Sequence, residues 1–203
     1  MDSDQWTVLS AIHKVIAQLE AILDEIRRTL KMTSQTPTLS GKQAVLEGLP
    51  DHPAIKALQA SDIEAWNPQA FIDARFDFGE LTLTIAPTEI RAACVTVQKA
   101  GYNFFEDMTT VDWFPASPRF QLSYHILSHT FKERIRLRVM LDEADPTVDS
   151  IVPVWPGANY YEREVFDLFG IHFAGHPDLR RIMMPDDWQG HPLRKDYPVE
   201  GYR

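Results

Sequence analysis

Between Gln5 and Lys31 apolar side chains return every three and four residues, at Leu9, Ile12, Ile16, Leu19, Leu23, Ile26 and Leu30. That alternation is the heptad seam of an amphipathic helix. Val8, Val15 and Ile22 widen the stripe to three positions per heptad, which suits a groove or a bundle better than a lone two-stranded coil. A polar stretch from Thr33 to Gln43, containing Pro37 and Gly41, reads as a linker, so the helix can rest on its own chain or reach a partner. At Asp51 to Gln59 (DHPAIKALQ) Asp51 or His52 is placed to cap a short helix with Pro53 in its first turn.

The period then shortens to two. Glu80 to Ile85 (ELTLTI) alternates as a half-buried strand, and Pro87 to Lys99 reads as a helix closed at Gly101. Phe104 to Trp113, Phe120 to Leu127 and Ile135 to Leu141 are three further strands, the last two joined as a hairpin through the short polar turn between Ser128 and Arg134. Leu137, Val139 and Leu141 share one strand face, and Arg136, Arg138 and Met140 the other, so only one face of this sheet meets a core. Val148 to Trp155 adds a short extended piece, and a helix from about Ala158 to Phe169 ends at Gly170. In that helix Tyr161, Val165, Leu168 and Phe169 form the core stripe, with Glu162, Arg163, Glu164 and Asp167 expected mostly off it. The fold class is α+β: a small mixed or antiparallel sheet of about four strands covered by two or three helices.

From His176 the pattern changes again. Pro177, Pro185, Pro192 and Pro198 prevent any helix of more than about two turns. Yet Ile182, Met183, Met184, Trp188, Tyr197 and Tyr202 stand among five acidic and five basic side chains, unlike the composition of a free tail. Such a segment is ordered by lying on a surface, its own or a partner's. The organisation expected is therefore a helix over 1–32, a linker over 33–50, an α+β domain over 51–175 and an extended tail over 176–203.

Composition narrows the function. A 44% hydrophobic content over 203 residues supports one real core, and a formal net charge of −9 argues against a nucleic-acid binder. The single Cys94 allows no internal disulfide and cannot alone hold an iron–sulfur cluster; apolar neighbours in its helix make it a core residue. The start MDSDQW carries two aspartates where a targeting peptide would need positive charge, and no apolar run reaches membrane-spanning length. Glycine-rich phosphate loops and nucleophile elbows are absent. His172, His176 and His191, with Asp178, Asp186, Asp187 and Asp196, suggest a metal-dependent hydrolase, but the spacing is not that of ligands on a rigid element. The two Gly-His-Pro units at 175–177 and 190–192 look instead like backbone devices.

The order Glu162-Arg163-Glu164, Asp167, His176, Arg180 and Ile182-Met183 resembles the signature of the respiratory complex I 30-kDa subunit family, known in bacteria as the C-type subunit. Val111-Asp112-Trp113, Tyr124-His125, Val154-Trp155-Pro156, Pro185-Asp186-Asp187-Trp188 and the run from Gly190 to Tyr197 resemble that family in the same order. The resemblance covers about His52 to Tyr202. It implies a non-catalytic core subunit of the peripheral arm of NADH:quinone oxidoreductase, without cofactors of its own. Its tail would wrap the 49-kDa, D-type subunit and approach the B-type subunit near the quinone-reduction module, with the I-type subunit as a further neighbour. FMN, iron–sulfur clusters, NADH and quinone would belong to partner subunits, and the chain would sit on the cytoplasmic face of a bacterial inner membrane, held there only through the complex.

By the same resemblance the docking residues are Glu162, Arg163, Glu164, Asp167, His176, Arg180, Arg181, Asp186, Asp187, Trp188, His191, Arg194, Lys195 and Tyr197. The heptad helix lies outside the family pattern, and its stripe from Leu9 to Leu30 is expected to dock on a further partner. Two alternatives remain. One is the equivalent subunit of a membrane-bound hydrogenase or a ferredoxin-fed complex, and the other is an autonomous metal-dependent enzyme using the three histidines.

Overall fold

A computed structural model of the chain describes Lys56 and residues 70–201. The heptad helix and its linker lie outside the described residues. Within them, β1 (Phe71–Asp77) and β2 (Glu80–Ile85) form a hairpin. A 3-10 turn (Pro87–Glu89) leads into α1 (Ile90–Lys99), and β3 (Phe104–Asp112), β4 (Phe120–Ser128) and β5 (Glu133–Leu141) follow as an antiparallel run. The chain continues through β6 (Thr147–Asp149), α2 (Ala158–Phe169) and β7 (His172–Ala174).

The main sheet has five strands in the order β1-β2-β5-β4-β3, and β2 runs parallel to β5, so the sheet is mixed. Register explains its single buried face. Leu81, Leu83 and Ile85 of β2 stand beside Ile135, Leu137 and Val139 of β5, and these stand opposite Ile126, Tyr124 and Leu122 of β4. All nine are fully buried, with Ile90, Ala93, Cys94 and Val97 of α1 and Val165 and Phe169 of α2 in the same core. The other face carries Arg134, Arg136 and Arg138, bridged to Glu80, Glu106 and Asp73. Partly exposed pairs of this kind contribute modestly to stability.

Two expectations need correction. The main sheet has five strands rather than about four, because β1 also belongs to it, and a two-stranded parallel sheet of β6 and β7 lies apart. The β1 pattern is legible in hindsight: Ile72, Ala74 and Phe76 alternate with Asp73, Arg75 and Asp77, but three charges in seven residues masked it. Second, Glu162 and Asp167 are not off the core side of α2. Both are fully buried. A helix stripe defined by apolar residues alone misses a carboxylate whose hydrogen bonds are made inside the protein.

The two hairpin turns at one end of the sheet have unusual backbones. Asp77 pairs with Glu80 around Phe78 and Gly79, whose φ values are 54° and 81°. Ser128 pairs with Glu133 around a four-residue turn whose last member, Lys132, has φ 55°. The tail lies at the opposite end, where β3 and β5 finish and β4 begins.

Candidate docking surface

Any α-helix leaves its last four carbonyls without intrahelical donors. In α2 Gly170 supplies one and the tail the other three. Gly170, in the left-handed conformation with φ 72°, donates its N–H to Phe166 O at 2.9 Å. His191 Nδ1 donates to Asp167 O at 2.9 Å, and the Leu193 N–H to Leu168 O at 3.1 Å. Arg194 Nε donates to Phe169 O at 2.5 Å. The second Gly-His-Pro unit therefore works as a helix cap. Its cationic neighbours Arg181 and Arg194 sit where the helix dipole favours positive charge.

The Asp167 side chain holds the first bend of the tail. Its Oδ2 accepts the N–H groups of Ile182, Met183 and Met184 at 3.0, 2.8 and 2.8 Å, while Oδ1 accepts from Arg181. Burial pushes its pKa up, but the Met184, Met183 and Ile182 N–H groups and the Arg181 guanidinium outweigh this and hold the carboxyl below its ordinary range. Arg181 also donates to Trp188 O and Gly190 O, closing a loop of tail around α2. From the helix side Arg163 donates to Arg180 O and Arg181 O.

A second brace was not singled out by the sequence. Arg119 is 1% exposed, the largest fully buried side chain among the described residues, and makes a bidentate pair with Asp112 at 2.9 and 2.8 Å. Its outer nitrogens reach Glu143 and the tail residue Asp196, and its guanidinium lies 4.9 and 5.0 Å from the ring centres of Phe114 and Phe120. The Lys195 N–H donates to Asp112 Oδ2 at 2.9 Å, so the tail is bolted to β3 and β4 as well as to α2. Burial raises the Asp112 pKa, but hydrogen bonds from Arg119, Lys195 and Phe114 overcome it and bring it to about 2. The sequence offered Asp112 and Asp196 inside recognisable runs, yet Arg119, between Pro118 and Phe120, has no spacing that distinguishes it from a surface arginine.

At the root of the tail, Glu162 Oε1 accepts the Ile151 N–H at 2.6 Å and Oε2 faces His176 Nε2 at 4.0 Å, with both side chains fully buried. Desolvation raises the Glu162 pKa to about 7, despite hydrogen bonds from Ser150, Ile151 and Val152. Burial lowers that of His176. His176 Nδ1 accepts the Asp178 N–H at 3.0 Å, which places the ring proton on Nε2. His172 is exposed on β7, His176 faces Glu162, and His191 caps α2, so the three histidines do not converge. Among the described residues no cluster of three or more His, Cys, Asp or Glu side chains is arranged to hold a metal.

With these groups turned inward, a different set faces out. Glu164, Arg180, Asp186, Asp187, Trp188 and Lys195 are exposed, Arg163 and Tyr197 are half-buried, and the Tyr197 hydroxyl donates to Gln189 O. Ile182, Met183, Trp188 and Leu193 present apolar surface to solvent. The result is a relief of apolar knobs and charges on a small α+β body, a mixture of the kind found at protein interfaces.

Residues 83–203, more than half the chain, match the family described as respiratory-chain NADH dehydrogenase, 30 Kd subunit. The chain belongs to that family. It is 44% identical over 135 residues to the C-type subunit of NADH-quinone oxidoreductase from Roseiflexus sp. (strain RS-1), spanning 65% of this chain and 78% of that relative. The protein of the same name from Geotalea uraniireducens is 47% identical over 124 residues, or 61% of this chain and 76% of the relative. A solved structure of Nqo5, the trypsin-resistant fragment (1-134), superposes over its whole length and 63% of this chain with a TM-score of 0.53 at 27% identity. A chain of an archaeal membrane-bound sulfane sulfur reductase shares the fold, with a TM-score of 0.59 at 21% identity over 71% of this chain and 82% of that one.

Proposed function

We propose that this chain is the non-catalytic C-type subunit of a proton-translocating NADH:quinone oxidoreductase, and that it docks on the D-type and B-type subunits through the outer face of its tail. One observation carries the proposal. The tail is braced by its own chain at Asp167, Arg119 and the end of α2, yet leaves Ile182, Met183, Trp188 and Leu193 uncovered between Asp186, Asp187 and Lys195. A segment already ordered loses little entropy on binding, and exposed aromatic and methionine side chains are what an interface core uses.

In this scheme Glu162, Asp167, His176, Arg181, His191 and Arg194 shape the docking surface from inside. Glu164, Arg180, Asp186, Asp187, Trp188, Lys195 and the outer edges of Arg163 and Tyr197 touch the partner. FMN, iron–sulfur clusters, NADH and quinone are bound by other subunits, and the I-type subunit is a further neighbour. Among the described residues no helix is long and apolar enough to cross a membrane. A peripheral position on the cytoplasmic face of the inner membrane, reached through the complex, accords with that. Relatives named as parts of NADH-quinone oxidoreductase favour an NADH-fed complex over a hydrogenase or ferredoxin-fed one.

The test is capture of the purified D-type, 49-kDa subunit by the full chain carrying Met183→Ser and Leu193→Ser together. Both residues are more than half exposed, so the double variant keeps its unfolding midpoint while capture falls by about tenfold or more. Unchanged capture sinks the docking assignment.

A further inference from the structure

The end of the sheet remote from the tail carries a second set of exposed aromatic side chains. The pairings Asp77↔Glu80, Leu81↔Ile135, Ser128↔Glu133 and Phe104↔Leu127 bring the β1–β2 turn, the β4–β5 turn and the start of β3 to that one end. There Phe78 is completely exposed, Phe104 is 47% and Phe131 37% exposed. Neither Phe104 nor Phe131 is loose: Phe131 lies 5.7 Å from Tyr102 between ring centres, and Phe104 5.2 Å from His129.

Phe78 carries the point furthest. It occupies the first central position of a two-residue turn in which both residues have positive φ, a place suited to asparagine, aspartate or glycine and unfavourable for a bulky aromatic side chain. Among the described residues only Phe78 and Lys132 are non-glycine residues with positive φ, and both belong to this end. Among the described residues nothing offsets this strain, since the fully exposed ring buries no surface on them. Strained positions of that kind are characteristic of sites where another molecule supplies the contacts.

We infer that the rim formed by Phe78, Phe104 and Phe131 is a second docking surface, for a protein subunit presenting an apolar groove with one basic and one acidic flank. The charges at this end specify the flanks. Glu80 and Glu106 are occupied by Arg134 and Arg136. Asp77 and Lys132, one on each turn, have no ion-pair partner among the described residues, so a complementary pair on the partner matches them. One cation beside one anion offers an anionic lipid surface no net attraction, which favours a protein over a membrane. The inference rests on the chain being a subunit of a larger complex, and it adds a contact made by the end opposite the tail.

The test uses the full-length chain and a peripheral-arm preparation purified from a strain that lacks this subunit. Phe78→Asn relieves the turn and removes the ring, so it raises the melting temperature of the isolated chain. The same substitution raises the concentration needed for half-maximal incorporation by about tenfold. Phe104→Ser, outside the turn, weakens incorporation in the same direction. Incorporation of Phe78→Asn equal to that of the unaltered chain overturns the second surface alone. Failure of the unaltered chain to incorporate removes the subunit assignment, and this inference with it. Sedimentation with vesicles of phosphatidylglycerol and phosphatidylethanolamine that depends on Phe78 also overturns it, in favour of a lipid contact.

Discussion

Asp167 turns both carboxylate oxygens toward the segment that follows it, and four donors meet there. Asp167→Ala leaves three backbone N–H groups and one guanidinium without their acceptor, and the expected loss is about 3 kcal/mol in urea unfolding. Arg119→Met leaves Asp112 buried without its bidentate partner, so a loss of about 3–5 kcal/mol is expected; Arg119→Lys recovers only part of it, because an ammonium cannot make both bonds. Glu162 has the opposite electrostatic character. Its carboxyl rises from an ordinary 4.5 to about 7 through burial, so the folded chain holds that proton more tightly than the unfolded one. Stability from this group is fully present below pH 4.5 and is lost as pH rises toward 7. His176 and His191 are both lowered from 6.5 by burial, so stability from them is lost as pH falls below 6.5. These slopes oppose each other in the unaltered chain. In Glu162→Gln only the histidine slope remains, and the urea midpoint rises with pH between 4.5 and 6.5.

At the scale of elements, α2 and the tail form one unit although Arg194, the last capping group, lies 25 positions beyond the Phe169 carbonyl it binds. Gly170 shows how closely they approach. A Cβ there would lie 2.5 Å from two His191 ring atoms and 2.8 Å from Arg194 Nη2, on a backbone of φ +72° that disfavours any side chain. Gly170→Ala is therefore expected to lower the melting temperature and, by pushing the cap off α2, to increase tryptic cleavage after Arg181 and Arg194. Strands and helices were legible from period, because β2, β4, β5, α1 and α2 bury apolar side chains at regular spacing. The path of the tail was not. Its order comes from backbone N–H groups of Ile182 to Met184 and Leu193 meeting acceptors on distant elements, and backbone donors are identical in every sequence. Proline spacing and aromatic content announced that the tail needed a surface, but the buried positions of Glu162 and Asp167, which show that surface to be its own chain, ran against the apolar stripe.

For the whole molecule, the family followed from the order of short motifs along the chain, and the matches to NADH-quinone oxidoreductase relatives agree with it. Arg119 and the aromatic rim were invisible at that level, one because no spacing marks a buried arginine, the other because only strand pairing brings Phe78, Phe104 and Phe131 to one end of the sheet. Removing everything after Gly175 strips the donors from α2 and Asp167 and takes Asp196 from Arg119. Such a chain is expected to unfold at lower urea concentration than the full one, with near-ultraviolet circular dichroism as the measurement. The 203-residue chain with only Met183→Ser keeps its midpoint, which separates loss of the brace from loss of the contact.

The bonds from Asp112 to Lys195 and from Arg119 to Asp196 join residues 83 and 77 positions apart. A chain synthesised from its N-terminus makes β3 and β4 long before residues 195 and 196 exist, so Asp112 and Arg119 first meet with their remaining valences open. The lock closes only once residues 195 and 196 have been made. A polypeptide broken off by a stop codon before residue 195 thus carries a β3–β4 brace with no tail to hold, its buried aspartate and arginine paired only with each other and Glu143.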